Sequence, residues 1–292
     1  MSSRADLDVA IVGYRSRDML RDCLASLREH APSGPMQVVV VDNDSRDGTV
    51  EMVREQFPEV DLVAAGRNVG FSAATNLAIR RGEAPYVLAL NPDTRLVAGT
   101  LDRLLELMDT TPQVAICGCR LELEDGSLDH AGKRSFPTPL SALGHFTGIG
   151  RHLGPRSELG AYTAPRIESG PVDAVNGAFM LMRRKALDEI GLFDEGYWMY
   201  MEDLDLCYRA AQVGWLTWYE PSVSIVHIKA GTSGKIRAPR LNYAFHYGMY
   251  RFYRTHYAGR NPRPLNWLIY AGIAVKLSVS LVRSAALRAA RR

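Results

Sequence analysis

Short apolar segments alternate with amphipathic segments through the first 120 residues of this 292-residue chain. The apolar segments are rich in β-branched residues and are predicted to be strands, whereas the segments between them have helical periodicity. The predicted strands are Leu7–Gly13, Gln37–Val41, Asp61–Ala64, Tyr86–Leu90 and Val114–Gly118, and the predicted helices are Ser16–Arg28, Gly48–Gln56, Ala73–Arg81 and Thr100–Met108. Such alternation is typical of a mostly parallel sheet flanked by helices, so the sequence predicts an α/β fold.

Polar or glycine residues follow each of the first four predicted strands, at Tyr14, at Asp42 and Asn43, at Arg67, Asn68 and Gly70, and at Asn91 and Asp93. The carboxyl ends of parallel strands share one edge of a sheet, where α/β proteins bind ligands. One carboxylate plus substrate phosphates commonly holds Mg²⁺ or Mn²⁺, which makes Asp93 a metal-ligand candidate. Taken singly, each of these segments is also compatible with a turn or a helix cap.

Three acidic residues, Glu202, Asp203 and Asp205, follow an apolar run that contains Trp198. Carboxylates in partly dry surroundings have a raised pKa, which suits a general base. Acids are also favoured at helix starts by the helix dipole, and Asp205 is spaced to pair with Arg209. Neither Glu202 nor Asp203 has such a local partner, so they are the candidates for chemistry, with Asp203 first.

The second half of the chain is less regular. Residues 121–170 are predicted to form a functional loop or a lid, since they are rich in Gly, Pro, His and Ser. A strand region over Val172–Arg183, interrupted at Asn176 and Gly177, precedes a helix over Leu204–Val213 and strands over Trp215–Tyr219 and Ser224–Ile228. His227 is a further metal-ligand candidate that would prefer Mn²⁺, or else a structural histidine. The four scattered cysteines are predicted to be reduced core thiols.

The charge of the chain is unevenly distributed. Residues 221–292 contain 13 Lys and Arg and no Asp or Glu, whereas the first 220 residues contain 22 basic and 32 acidic residues. The segment Leu265–Val282 is apolar and is followed by arginines. We expect this helix to lie in the surface of an anionic membrane, although packing on protein or spanning the bilayer are alternatives. The polar N-terminus lacks a signal-peptide core, so we expect a cytoplasmic protein, peripheral on the inner face of the plasma membrane.

Seven ordered motifs resemble those of family 2 of the inverting GT-A glycosyltransferases, and most closely the bacterial rhamnosyltransferases that act on cell-wall or polysaccharide lipid intermediates. The motifs span roughly residues 7–230 and are Val9–Tyr14, Val41–Thr49, Asn68–Phe71 with Asn76, Asn91–Asp93, Asn176–Leu181, Gly191–Glu195 and Tyr200–Leu206. The resemblance implies a GT-A (Rossmann-like) domain over 1–230, with a nucleotide-binding half at 1–120 and an acceptor and catalytic half at 121–230. A basic, aromatic-rich, amphipathic helical extension would occupy 231–292.

The resemblance also implies roles for individual residues. Those that would bind the nucleotide sugar are Tyr14, Asp42, Asn43, Arg67, Asn68, Gly70, Asn76, Asn91 and Asp93. Asp93 would bind metal as the last acid of a D-x-D motif whose first acid is here Asn91, and His227 would approach the metal or the diphosphate. Asp203 would be the general base, and Asn176, Gly177, Trp198 and Glu202 would face the acceptor. The chain departs from the family at Arg15, because many members have asparagine after the tyrosine that corresponds to Tyr14.

The resemblance implies transfer of a sugar, with L-rhamnose from dTDP-L-rhamnose the first choice, to a hydroxyl of a polyprenyl-diphosphate-linked saccharide, assisted by Mg²⁺ or Mn²⁺. The alternatives are a transferase for another nucleotide sugar, a nucleotidyltransferase, and a non-catalytic, membrane-tethered sugar-nucleotide-binding scaffold. A nucleotidyltransferase should have a glycine-rich phosphate loop after the first strand, and the Gly13–Arg17 segment fits that poorly. We expect no nucleic-acid partner, because the acidic motifs would be left without a role. A homo-oligomer is compatible with the sequence.

Overall fold

A computed structural model of the protein describes residues 5–137, 168–228 and 238–289. Nine strands form one sheet: β1 (Leu7–Gly13), β2 (Met36–Asp42), β3 (Asp61–Ala64), β4 (Tyr86–Leu90), β5 (Thr94–Arg95), β6 (Val114–Glu122), β8 (Gly170–Val172), β10 (Phe179–Arg183) and β11 (Leu216–His227). Two further strands, β7 (Lys133–Arg134) and β9 (Ala174–Val175), pair with each other in a small antiparallel sheet.

The strand order in the large sheet is β3-β2-β1-β4-β10-β6-β11-β5, and β8 pairs with β11. Strands β1, β2, β3 and β4 are all parallel to one another, whereas β10 runs antiparallel to both β4 and β6. Strand β10 therefore joins the four parallel strands β1 to β4 to the parallel pair of β6 and β11. The sheet is mixed and mostly parallel, as predicted.

Eight helices accompany these strands within the described ranges: α1 (Arg17–Glu29), α2 (Thr49–Gln56), α3 (Phe71–Ile79), α4 (Thr100–Thr110), α5 (Arg184–Ile190), α6 (Glu202–Gln212), α7 (Pro239–His256) and α8 (Arg263–Ala289). The α1, α2 and α4 side chains share one hydrophobic cluster with the sheet, and α3, α5 and α6 share the second. All four cysteines are buried free thiols, as predicted.

The sequence predictions of the elements differ from the structure mainly at two places. The two strands predicted over Trp215–Tyr219 and Ser224–Ile228 are one strand, β11, with an irregular register between Glu220 and Ser224 that accommodates Pro221. The predicted lid over 121–170 contains the end of β6 and all of β7, and its residues 138–167 lie outside the described part of the chain.

The C-terminal helices pack on each other through a small cluster around Tyr253, Ile269 and Ile273. Helix α8 is 27 residues long, and an 18-residue window within Arg263–Arg288 has a mean hydropathy of 1.6, which makes the helix long and apolar enough to cross a membrane. Only 11% of its apolar window is buried. The predicted apolar helix over Leu265–Val282 is thus confirmed as part of a longer one.

Candidate active site

Asn43 joins two of the polar loops that follow neighbouring strands. Its side chain is buried after β2, and its Nδ2 donates to the Gly70 carbonyl at 3.2 Å and to Asn68 Oδ1 at 3.3 Å. Its Oδ1 accepts from the Val69 amide at 2.8 Å. Because these bonds cross from the end of β2 to the loop after β3, the predicted residues Asn43, Asn68 and Gly70 share one surface.

Gly70 fixes the distance between this loop and Trp198. Its φ is +93°, and a Cβ there would lie 2.5 Å from Trp198 Cδ1 and 2.6 Å from the Trp198 carbonyl oxygen. The adjacent Phe71 amide donates to the same carbonyl at 2.8 Å. Only glycine permits this approach, so Gly70 brings the donor loop against the predicted acceptor residue Trp198.

The remaining predicted donor residues differ in their exposure. Asp42 is buried, and its Oδ1 has no hydrogen-bond partner within the described part of the chain. Tyr14 is half-buried beneath the Arg15 guanidinium, and Arg67 is exposed. Asn76 is buried in α3, and its side-chain amide is hydrogen-bonded to the backbone of Phe193 and to the Glu195 carboxylate. Asn76 therefore holds the loop before α6.

Asp93 and His227 come together where β5 pairs with the end of β11. His227 Nε2 lies 3.6 Å from Asp93 Oδ1, a buried oxygen that has no hydrogen-bond partner among the described residues. His227 Nδ1 lies 3.0 Å from Oδ2 of the buried Asp129. Burial lowers the pKa of His227, but the hydrogen bond to Asp129 and the nearby Asp93 outweigh it and raise the pKa to about 9.

These residues provide a partial set of metal ligands. Carboxylate oxygen and imidazole nitrogen suit Mn²⁺, and the unpartnered Asp93 oxygen faces the histidine. Within residues 5–137, 168–228 and 238–289, no group of three His, Cys, Asp or Glu side chains could hold a metal ion. The residues therefore fit an ion whose remaining ligands come from substrate phosphates and water. Asn91 lies beside them, with its amide bonded to the Ala178 carbonyl.

Asp203 is held by two groups from distant segments. Its Oδ2 accepts from the Gly177 amide at 2.9 Å and from the Arg134 guanidinium, which also reaches the Val175 carbonyl. Its Oδ1 accepts from the Leu204 amide at 2.7 Å. The partner of Asp203 is therefore Arg134 on β7, 69 residues away in the chain, and not a residue of the same helix. The predicted Asp205–Arg209 pair is present at 2.7 Å.

Glu202 is buried beside Asp203. Burial, together with the neighbouring Asp203, raises the pKa of Glu202 to about 8. Glu202 Oε2 is buried and has no hydrogen-bond partner within the ranges the structure describes. The expectation of a raised carboxyl pKa at this motif is therefore confirmed at Glu202. It is wrong for Asp205, where burial raises the pKa but the hydrogen bond to His256 and the charge of Arg209 outweigh it and lower the pKa.

Two predicted acceptor residues, Asn176 and Gly177, connect the acid pair to the metal-ligand candidates. The Gly177 amide binds Asp203, and the next residue, Ala178, binds Asn91. The Asn176 side chain bonds to the Ala131 carbonyl and the Ala178 amide. The loop over 67–70 thus meets the segment before the acids at Trp198, and the segment 176–178 contacts both Asp203 and Asn91.

Sequence reasoning missed Arg134 and Asp129, which hold Asp203 and His227. Both lie in residues 121–170, where no periodicity or motif spacing distinguishes them. Their partners are 69 and 98 residues away in the chain. Only the pairing of β7 with β9 brings Arg134 next to Gly177, so no local signal could have identified it.

Comparison with known proteins agrees with this geometry. Residues 8–191 match the family model "Glycosyl transferase family 2". The chain is 33% identical to N-acetylglucosaminyl-diphospho-decaprenol L-rhamnosyltransferase of Mycobacterium tuberculosis (strain ATCC 25618 / H37Rv), over 98% of this chain and 96% of that protein. It is 26% identical to rhamnosyltransferase WbbL of Escherichia coli (strain K12), over 75% of this chain and 82% of that protein.

A solved structure shares the fold. The mannosyltransferase PcManGT from Pyrobaculum calidifontis, in complex with GDP-Man and Mn²⁺, superposes with a TM-score of 0.59 at 18% identity, covering 99% of this chain and 80% of that one. At this identity the likeness establishes the fold alone. Family match, site geometry and fold agree, and the chain belongs to glycosyl transferase family 2, as a glycosyltransferase with a GT-A fold.

Proposed function

We propose that this protein transfers L-rhamnose from dTDP-L-rhamnose, with inversion, to a hydroxyl of a polyprenyl-diphosphate-linked saccharide in cell-wall or polysaccharide synthesis. One observation carries the proposal. Three buried carboxylate oxygens, on Asp42, Asp93 and Glu202, lack hydrogen-bond partners among the described residues and lie in three linked parts of one site. Buried polar atoms of this kind are normally satisfied, so each is suited to a group brought by substrate.

Each unpartnered oxygen has a fitting substrate group. Asp42, the last residue of β2, would accept from an N–H of the nucleotide base, beside Tyr14, Asn43 and the loop over 67–70. Asp93 would lie at the diphosphate. Glu202 would bind a hydroxyl of the acceptor or of the donor sugar. The proposal thus places nucleotide, diphosphate and sugar in the order in which they follow one another in a nucleoside diphosphate sugar.

In the proposed reaction Asp203 accepts the proton of the acceptor hydroxyl while that oxygen attacks the anomeric carbon opposite the leaving diphosphate. The carbon–oxygen bond to the diphosphate breaks as the new glycosidic bond forms, which inverts the anomeric centre. Arg134 and the Gly177 amide both bind Asp203 Oδ2, so they orient the carboxylate. A carboxylate oxygen has two lone pairs, and Oδ1, which accepts from the Leu204 amide, retains an acceptor position.

Asp93 and His227 are the residues that would hold Mg²⁺ or Mn²⁺ together with the diphosphate. A divalent cation bound there would offset the charge that develops on the leaving diphosphate. Asp129 would orient the histidine through Nδ1, a common arrangement for histidine ligands. Because Asn91 replaces the first acid of the motif, the protein contributes one charge fewer to the ion.

The identity of donor and acceptor rests on the relatives. The mycobacterial relative is named for rhamnosyl transfer to N-acetylglucosaminyl-diphospho-decaprenol, and that alignment covers nearly the whole of both chains. A lipid-linked acceptor requires the enzyme to work at a membrane. We therefore propose a cytoplasmic enzyme, peripheral on the inner face of the plasma membrane.

Helix α8 supports the membrane part of the proposal, because its solvent-exposed face is apolar. Trp267, Val275, Val279 and Val282 are 62–72% exposed and fall within about 120° of the helix circumference. The side facing the protein is partly polar: Asn266 bonds to Tyr253 and Ser284 bonds to Asn242. An apolar outer face beside Arg283 and Arg288 fits an interfacial helix on anionic lipid.

Thermal unfolding with a panel of nucleotide sugars and Mn²⁺, with and without chelator, tests the donor, since ligand binding to the native state raises the midpoint. We expect a metal-dependent shift that is larger for dTDP-L-rhamnose than for UDP or GDP sugars. Transfer is then measured with polyprenyl-diphosphate N-acetylglucosamine, and the product's anomeric configuration is read by NMR. A shift of the unfolding midpoint with a different nucleotide sugar alone would make that sugar, and not dTDP-L-rhamnose, the donor. No shift and no transfer, or release of pyrophosphate from a nucleoside triphosphate and a sugar phosphate, would overturn the proposal.

A further inference from the structure

Helix α7 contacts the segment that carries the catalytic acids at several points along its length. The contacts on segment 194–205 are Asp194 with Arg251 at 2.7 Å, the Tyr197 ring with Arg251 at 5.3 Å, the Trp198 ring with Arg240 at 4.0 Å, the Tyr200 ring with Phe245 at 5.9 Å, and Asp205 with His256 at 2.7 Å. Helix α7 thus lies against both sides of the acid pair, although it follows β11 in sequence.

The turn at Tyr200 and Met201, immediately before Glu202, has an unusual backbone. Both residues have a φ of +72°, in the left-handed region that residues with a side chain rarely adopt. Such conformations persist where surrounding contacts hold them, and they cluster at functional sites. The Met201 carbonyl accepts from the Asp205 amide at 2.9 Å, so this turn also sets where helix α6 begins.

Gly248 of α7 packs directly on this turn. A Cβ at Gly248 would lie 3.0 Å from the Tyr200 carbonyl oxygen and 3.0 Å from Met201 Cγ, which is closer than ordinary contact. The Met201 side chain can move, whereas the Tyr200 carbonyl belongs to the constrained backbone. Glycine at this position therefore lets α7 close on the turn without displacing it.

We propose that Gly248 is a positioning residue for sugar transfer: its close packing holds the Tyr200–Met201 turn and thereby the direction in which Glu202 and Asp203 enter the site. The inference rests on the proposed function, because it takes these acids as the catalytic pair. It makes α7 a support of the active site. Displacing a reacting group by a fraction of an ångström is enough to slow an enzyme markedly.

Gly248→Ala tests the proposal, with Gly259→Ala as the matched control. Alanine favours a helix more than glycine, so a loss in Gly248→Ala does not come from helix propensity. A Cβ at Gly259, in the short 3₁₀ turn after α7, meets no atom within 4 Å. We expect Gly248→Ala to lower kcat about tenfold while the Kd of the donor nucleotide sugar stays within about twofold of wild type. Gly259→Ala should match wild type in both.

Hydrogen exchange of the peptide over residues 198–206 gives a readout that does not need turnover. We expect faster exchange in Gly248→Ala than in wild type and Gly259→Ala. Unchanged kcat and exchange in Gly248→Ala, or equal losses in the control, would overturn the proposal. If wild type transfers no sugar to any acceptor, the proposed function fails, and the exchange comparison still decides whether Gly248 holds the turn.

A second variant covers the case in which Gly248→Ala does not fold. Phe245→Leu removes the edge contact with the Tyr200 ring but keeps an apolar side chain in its place. We expect kcat to fall about threefold, with donor Kd unchanged and exchange over 198–206 increased. Wild-type kcat and exchange in this variant would contradict a supporting role for α7.

Discussion

The donor side and the acid side of the site are held by different kinds of contact. On the donor side, Asn43 ties the loops after β1, β2 and β3 together through neutral amide and backbone hydrogen bonds. On the acid side, side chains from distant segments hold the carboxylates: the Arg134 guanidinium forms an ion pair with Asp203, and the His256 ring is hydrogen-bonded to Asp205. The donor side therefore follows from the topology of successive parallel strands, whereas the acid side depends on electrostatics.

Asp203→Asn should give the largest effect and separates the two sides most clearly. The amide keeps the size of the side chain but is not a base, so we expect turnover to fall by roughly 10²–10⁴. Donor binding, measured by calorimetry, should stay near wild type, because Asp203 contacts Gly177 and Arg134 and none of the donor loops. Asp18→Asn, on the exposed side of α1, is the control. Near-wild-type turnover in Asp203→Asn would remove Asp203 as the base.

Glu202→Gln tests whether the acid side is electrostatically strained. The pKa of Glu202 is raised to about 8 by burial and by Asp203, so its contribution to folding stability is fully present below the unfolded pKa near 4.5 and is lost as the pH rises through 8. We expect wild type and Glu202→Gln to have similar stability at pH 5. At pH 9 the variant should be more stable by a few kcal/mol, since one pKa unit corresponds to about 1.4 kcal/mol.

Urea unfolding at several pH values measures this difference, and Glu55→Gln on the exposed face of α2 serves as the control. Equal pH dependence in wild type and Glu202→Gln would show that Glu202 titrates normally. The hydrogen bonds of Asn43 should not share this behaviour, because neither Asn43 nor its partners Asn68, Val69 and Gly70 titrate.

The extent of sequence prediction follows the same division. The alternation of elements predicted the sheet, and the position of Asp42, Asn43, Asn68 and Asp93 after successive strands predicted that they meet at one edge. Arg134, Asp129 and Gly248 were not predictable in this way. Each acts on a residue tens of positions away, and the contact exists only because β7 pairs with β9, β11 ends beside Asp129, or α7 returns over the acid turn.

Arg134→Lys tests the acid side, because it keeps a positive charge beside Asp203 and changes the geometry of the hydrogen bonds. One guanidinium nitrogen of Arg134 reaches both Asp203 and the Val175 carbonyl, and a lysine ammonium on a flexible stem does not reproduce that fixed geometry. We expect turnover to fall about tenfold with unchanged donor Kd. Steady-state kinetics with saturating donor measures it. A rise in donor Kd instead would mean that Arg134 serves the donor side.

Asn43→Ala should have the smallest effect on turnover, and it should change donor Kd and not kcat, the reverse of Arg134→Lys. It removes three hydrogen bonds of a buried amide and leaves the Val69 amide without its partner, which costs about 1–3 kcal/mol in the free energy of unfolding. The loop over 67–70 would loosen, so donor Kd should rise several-fold while kcat at saturating donor changes little. Urea unfolding and calorimetry with the nucleoside diphosphate measure the two effects. A loss of kcat with unchanged donor Kd would contradict the assignment of Asn43 to the donor side. Asn43 would then act on the acids through Trp198, whose carbonyl accepts a hydrogen bond from the Phe71 amide beside this loop.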